Sequence, residues 1–321
     1  MHSRAKDKWV CGDFLELDAP SKSYRTIVGN PPYARRGPTN LYLLFIEKCL
    51  GLLARGGELV FVLPSDFFHL TGAAGLLTSM CEQGAFTDIY RPNNERLFSG
   101  ASIDVVVVRY QKTKGLRPEC RDFTSGHRMT YSLDGGIVTF VTGEPPSGPA
   151  LSSVATVHVG LVTGCEVAFQ DDALGNVELL VGNGEKKRYI MASGPGDPLV
   201  DEVLSKHKDR LLARRIRRFD EHNWYEWGAL RNIGMMRARE GQDCVYVSCL
   251  TRSDKPARLG KVGYFGAGLL CVVPKDGSLL DLPALVDTVN GDSFRARYTR
   301  SGRFRMGQRQ LAHVRLPMPI A

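Results

Sequence analysis

Two consecutive prolines, Pro31 and Pro32, stand directly behind a short apolar run, and they limit what the surrounding chain can become. A strand over residues 24–28 has to stop there, because neither proline offers a ladder N–H and both hold φ near −65°. The turn Gly29-Asn30-Pro31-Pro32-Tyr33 is followed by Asn40, placed as the N-cap of a helix over 41–54 with Leu44, Phe45, Leu50 and Leu53 on its inward side. Gly56 and Gly57 stop that helix, and 58–63 reads as a short buried strand ended by Pro64. A helix over 72–84, a strand over 86–90 and a β-branched strand over 103–110 continue the alternation. This βαβ rhythm predicts an α/β fold with a doubly wound, largely parallel sheet.

The clearest linker, 143–150 (GEPPSGPA), divides the chain near residue 145. Charge shifts at the same place. Residues 1–150 carry 17 Lys and Arg against 15 Asp and Glu, whereas the rest carries 25 against 19. The basic excess gathers over 206–218 and 295–309, which suits a phosphate backbone and equally suits solvated helix faces. Between these stretches lies an aromatic and basic segment, 219–231, with short strands and several glycines around it. A second, α+β domain over 146–321 is expected. No apolar run approaches the length of a membrane span, and the first residues lack an apolar signal core. Eight cysteines form no CxxC pair, so neither a zinc site nor a disulfide scaffold is suggested, and a reducing cytoplasm is the expected compartment.

Asn30-Pro31-Pro32-Tyr33 stands at the C-terminal end of a strand, where open α/β sheets place their ligands. The chemistry suited to it is methylation of an amino group on a planar ring. Such a nitrogen is a poor nucleophile, because its lone pair is delocalised. The Asn30 amide oxygen and the Pro31 carbonyl would each accept one of its N–H bonds and hold it in line with a donor methyl. The prolines stiffen the turn, and Tyr33 offers a flat face for a base. A tight turn with no chemical task is the alternative reading of these four residues alone.

In the order and spacing of its motifs the sequence resembles the amino-methylating DNA methyltransferases of restriction–modification systems, in the gamma motif order, which modify N6 of adenine. The resemblance runs from about Cys11 to Tyr110, and more weakly onward. The motif CGDFLE from Cys11 is similar to the family's acidic strand-end motif, which implies that Asp13 and Phe14 lie beside the adenine of S-adenosylmethionine. NLYLLFIEKC from Asn40 resembles the next motif and implies that Phe45 packs on that adenine. GGELVFVLPSDFF from Gly56 resembles the following strand and turn. LFSGASIDVVVVRY from Leu97 resembles the segment whose aromatic, here Phe98, stacks with Tyr33 on a flipped-out base. Taken singly, Phe45 on an apolar helix face reads as core, Phe98 as core or loop filler, and Asp13 as a strand-end turn residue.

The resemblance also implies a division of labour: a partial methyltransferase catalytic domain over 1–145, and a DNA target-recognition domain over 146–321. Gly160–Gly164 (GLVTG) and Gly302–Leu311 (GRFRMGQRQL) resemble the bounds of the recognition region. Arg295, Arg297, Arg303, Arg305 and Arg309 are then candidates for phosphate or guanine contacts in double-stranded DNA. One family motif has no counterpart, the glycine-rich turn that cradles the methionine end of the cofactor. Only 12 residues precede Asp13, and a βαβ unit needs about 30. The pair Gly266 and Gly268 precedes a strand-like run instead of following one and opening a helix, so its context is wrong. A chain that starts late, a split enzyme completed by a second polypeptide, and a non-catalytic DNA-binding remnant all fit this gap. Methylation of a protein glutamine amide is a further alternative, since it too uses NPPY turns. No metal is expected.

Overall fold

The computed structural model describes residues 9–92, 94, 98, 103–143, 146–182, 184–192, 194 and 196–316. The chain forms two compact units, Met1–Pro145 and Pro146–Ala321. No helix among the described residues is long and apolar enough to cross a membrane.

The first unit is built on β1 (Tyr24–Gly29), the hairpin strands β2 (Arg35–Arg36) and β3 (Thr39–Asn40), α1 (Leu41–Leu52) and β4 (Leu53–Pro64). Then follow α2 (Ala74–Gln83), β5 (Ala85–Tyr90), β6 (Val105–Gln111), β7 (Glu119–Asp122), β8 (Arg128–Asp134) and β9 (Ile137–Val141). Seven of these strands form one sheet in the order β1-β4-β6-β5-β7-β8-β9. The α/β class holds, but the sheet is mixed where the alternation predicted a largely parallel one. Among the described residues of this sheet, β1–β4 and β5–β7 are the pairs that run parallel. The reason is β6, which slots antiparallel between β4 and β5, and the meander β7–β9, which extends the sheet through short turns.

Both helices lie on one face. Leu59, Phe61 and Leu63 of β4 and Val106, Val108 and Tyr110 of β6 share a core with Tyr42, Leu43, Ile46, Cys49 and Leu50 of α1 and Leu77 and Met80 of α2. The opposite face carries Val28, Val60, Val62 and Val107, beside a surface network in which Arg109 pairs with Glu58 and Asp88. The doubly wound expectation is therefore met on one side only among the described residues. The sheet face and the β1 edge both stay open there, and Val28 is 72% exposed.

Local details differ from the sequence reading for identifiable reasons. α1 ends at Leu52, and β4 begins before the glycines that were expected to stop the helix. Gly57 is needed elsewhere: a Cβ there would lie 3.0 Å from the Tyr24 carbonyl oxygen and 3.1 Å from that of Arg25. Asn40 caps nothing with its side chain; its Oδ1 accepts from Arg35 Nε at 3.3 Å. Leu44 and Phe45 are half-buried on the helix flank, because Leu43, Ile46 and Leu50 take the inward positions.

The second unit is α+β, around an antiparallel sheet of Ala155–Val159, Leu269–Pro274, Asp243–Ser248 and Ala257–Lys261 in that spatial order. Strand alternation feeds two cores. Val245, Val247, Leu270 and Val272 face the helices Leu282–Asn290 and Asp292–Tyr298, while Cys244, Tyr246, Cys271 and Val273 face Phe169, Leu211 and Trp227. Gly160 of the GLVTG motif has a packing role, since a Cβ would lie 2.2 Å from the Gly266 carbonyl oxygen. Gly266 and Gly268 accordingly belong to a close backbone approach that leads into a strand.

Candidate active site

β1 delivers Asn30 to the C-terminal end of the sheet, and the two prolines divide the turn between inside and outside. Pro31 is buried while Asn30 and Pro32 are exposed. Tyr33 is half-buried, with its hydroxyl 3.1 Å from both Asn30 Oδ1 and the Val62 carbonyl oxygen of β4. The phenol's single proton is shared between these two acceptors, which links the turn to the neighbouring strand beside the Asn30 amide. An amide oxygen carries two lone pairs, so one remains for a ligand. The Pro31 carbonyl accepts no hydrogen bond among the described residues. The turn therefore carries two acceptors on adjacent residues, the Asn30 oxygen on an exposed residue and the Pro31 carbonyl on a buried one.

Burial pushes the Tyr33 phenol up to about 12, so it remains a neutral donor at ordinary pH. Tyr42 meets Tyr33 edge-on, with ring centroids 6.1 Å apart. Its hydroxyl is buried without a hydrogen-bond partner among the described residues. Burial first, then the charge of Asp66 and the neighbouring Tyr33, raise its pKa as well. Burial likewise raises Tyr110, Tyr131, Tyr189 and Tyr246. A phenol raised in the folded chain contributes stability that is fully present below its unfolded value, near 10, and is lost as pH rises through the folded one. The urea midpoint is therefore expected to hold to about pH 9 and to fall steeply by about pH 11. An unchanged midpoint across that interval would contradict the burial of these rings.

Asp13, Phe14 and Phe45 come together beside α1. Phe14 and Phe45 are 5.0 Å apart between centroids, and Lys48 Nζ sits 5.4 Å from the Phe14 ring. Lys48 also donates to the carbonyls of Leu15 at 2.9 Å and Leu17 at 2.6 Å, which ties the 13–17 turn to the helix. Asp13 Oδ1 accepts from Leu15 N at 2.8 Å, and the carboxylate is otherwise exposed. Tyr42, Phe45 and Lys48 fall three residues apart, along one stripe of α1. The sequence reading did not single out Tyr42 and Lys48, which respectively pack against Tyr33 and tie down the 13–17 turn.

Phe98 is half-buried, and residues 95–97 and 99–102 around it lie outside the described residues. The basic stretches of the second unit are not uniform surfaces. Arg214 is buried, Lys206, Lys208 and Arg217 pair with Glu202, Glu221 and Glu226, and Arg210, Arg215 and Arg218 are exposed. Arg295 donates to the Asn290 carbonyl and pairs with Asp292. Arg303 and Arg309 are half-buried, and each has an interaction partner. Arg305 is exposed and Arg297 half-buried.

Residues 4–98 match the model of a family described as the Eco57I restriction-modification methylase. The first unit is similar to a restriction–modification methylase. Type II methyltransferase M.HincII of Haemophilus influenzae is 30% identical over 115 residues, covering 29% of this chain and 23% of its own length. Type II methyltransferase M.TthHB8I of Thermus thermophilus is 31% identical over 182 residues, covering 45% of this chain and 42% of its own. This chain thus spans less than half the length of these methyltransferases. Among solved structures, the Type IIL restriction-modification enzyme MmeI in complex with DNA aligns with a TM-score of 0.60 at 11% identity, over 90% of this chain and 46% of that one. At that identity the likeness to MmeI is one of fold.

Proposed function

We propose that this chain carries the target-base half of an S-adenosylmethionine-dependent DNA methyltransferase that modifies N6 of adenine in duplex DNA, in the cytoplasm. The observation that carries the reading is the amide oxygen of the exposed Asn30, 3.1 Å from the Tyr33 hydroxyl, beside a Pro31 carbonyl that accepts no hydrogen bond among the described residues. An exocyclic amine has two N–H bonds, and the turn has two acceptors for them. Accepting both draws electron density toward the nitrogen and favours its pyramidal form as a new bond develops. Inside a duplex this amine is paired and stacked, so the base has to leave the helix to reach the turn. Tyr33 and Phe98 would hold it there. After transfer the nitrogen releases its proton to solvent.

The residues around α1 fit the adenosine end of the cofactor. Phe14 and Phe45 form one aromatic pair, beside which a purine would lie on Phe45 and Phe14, with the exposed Asp13 carboxylate as acceptor for its amino group. S-adenosylmethionine, when bound, supplies an electrophilic methyl. In this reading the glycine-rich turn for the methionine end would come from a second polypeptide. The second unit would read the DNA, with Arg297 and Arg305 the freest of its five candidate arginines.

The test is methyl transfer from labelled S-adenosylmethionine, with the completing polypeptide present, offering unmethylated genomic DNA and protein acceptors in parallel. Label in adenine of DNA supports the reading. Label only in protein favours glutamine methylation. Salt-sensitive duplex binding with no transfer to either leaves a DNA-binding module.

A further inference from the structure

The turn that begins at Asn30 runs on into the β2–β3 hairpin, to which methyl transfer itself gives no task. The hairpin has a defined shape. Arg35 pairs with Asn40 and Arg36 with Thr39. Gly37 sits at φ 62°, and Pro38 holds φ near −65°, the sequence pattern of a two-residue type II′ loop. It is also anchored at both ends. Tyr33 bonds to β4, and Leu41 N, opening α1, donates to the Ala34 carbonyl at 2.8 Å.

What the hairpin presents is unneutralised charge. Arg35 and Arg36 are exposed, and neither meets a carboxylate among the described residues. Arg91, Arg109, Arg117 and Arg128 of the same unit each sit against one. Arg35 uses only Nε, on Asn40, so the outer edge of its guanidinium remains available; the asparagine braces the arginine instead of capping the helix.

We propose that this hairpin is a phosphate clamp, in which Arg35 and Arg36 bind the two backbone phosphates flanking the extruded target nucleotide. The assignment rests on the reading of Asn30–Tyr33 as the seat of a flipped base. A flipped base stays covalently joined to its own phosphates. Whatever holds its amine at Asn30 therefore brings those phosphates within one nucleotide's length of the turn. Arg35 and Arg36 follow Tyr33 by two and three residues, at most roughly 7–11 Å of chain. The planar guanidinium fork matches phosphate oxygens in pairs. Held there, the two cations would keep the backbone in its rotated form while the base is out of the stack.

The experiment measures binding of the whole chain to two short duplexes over a range of salt. One is fully paired, and the other carries an adenine opposite an abasic site, which lowers the cost of extrusion. The double variant Arg35→Gln/Arg36→Gln is compared with wild type and with Arg55→Gln, an exposed arginine near the start of β4. Loss of two phosphate contacts is expected to reduce the slope of log K against log salt by about 1.8. Affinity for the abasic duplex should fall at least tenfold, and by more than affinity for the paired one, while Arg55→Gln changes neither. An unchanged slope, an equal loss on both duplexes, or the same loss in Arg55→Gln overturns the clamp alone. A wild-type chain that binds neither duplex overturns both the clamp and the methyltransferase reading.

Discussion

Asn30→Ala is expected to lower methyl transfer to duplex DNA by about 10²–10³-fold, the usual loss when one preorganised hydrogen-bonding group is removed from a reacting centre. The residue is exposed and its side chain's hydrogen bond among the described residues is to Tyr33, so the free energy of unfolding should change by no more than about 0.5 kcal/mol. The loss should fall on kcat and on kcat/KM alike, because the bond to the amine strengthens as charge develops on nitrogen. Asn30→Asp keeps an acceptor that Tyr33 can still orient, and it should retain more activity than the alanine. Single-turnover transfer of labelled methyl groups to unmethylated genomic DNA, with the cofactor site complete, compares both variants with the wild type. Full activity in Asn30→Ala would remove Asn30 from the mechanism.

The largest effect on stability is expected at Arg214. Its guanidinium donates to four main-chain carbonyls: Leu211 at 2.7 Å, Thr163 at 2.7 Å, Glu226 at 2.9 Å and Trp224 at 2.6 Å. Phe219 lies 3.8 Å from it and Phe169 5.5 Å. Burial lowers its pKa to about 10, still well above neutrality, so the group is charged and its bonds are charge-assisted. Arg214→Ala strands these carbonyls and opens a cavity, for a loss of about 3–5 kcal/mol. That is a large part of the 5–15 kcal/mol typical of a folded domain. Arg214→Lys should recover less than half, since one ammonium cannot reach four carbonyls in a plane. Tryptophan fluorescence follows the transition, because Trp224 and Trp227 lie in this unit. A midpoint equal to wild type for Arg214→Ala would show that the carbonyls find other partners.

Arg214 also shows where a one-dimensional reading stops. Within a run of seven basic residues it looks like one more surface charge. It is internal because loops from residues 163 and 224–226 converge on the end of the helix Lys208–Leu212, and nothing in the run announces that convergence. Arg295 follows the same logic, drawn to a helix end and to Asp292. Asn40 has the right type and position for a cap, yet Arg35 across the hairpin competes for its oxygen.

Other features were legible because their causes are local. Proline chemistry ends β1 before Asn30 whatever surrounds it, and the period of apolar residues marks α1 and the strands to within a few residues. The turn and the α/β class follow from such short-range constraints. Tertiary structure alone decided that β6 runs antiparallel between β4 and β5, and that both helices cover one face. It also decided that Phe45 lies on the flank of α1 against Phe14, and that Tyr33 holds the Asn30 amide. Each of these depends on which distant surface gains most by burial or pairing, and that free energy is set by partners tens of residues away.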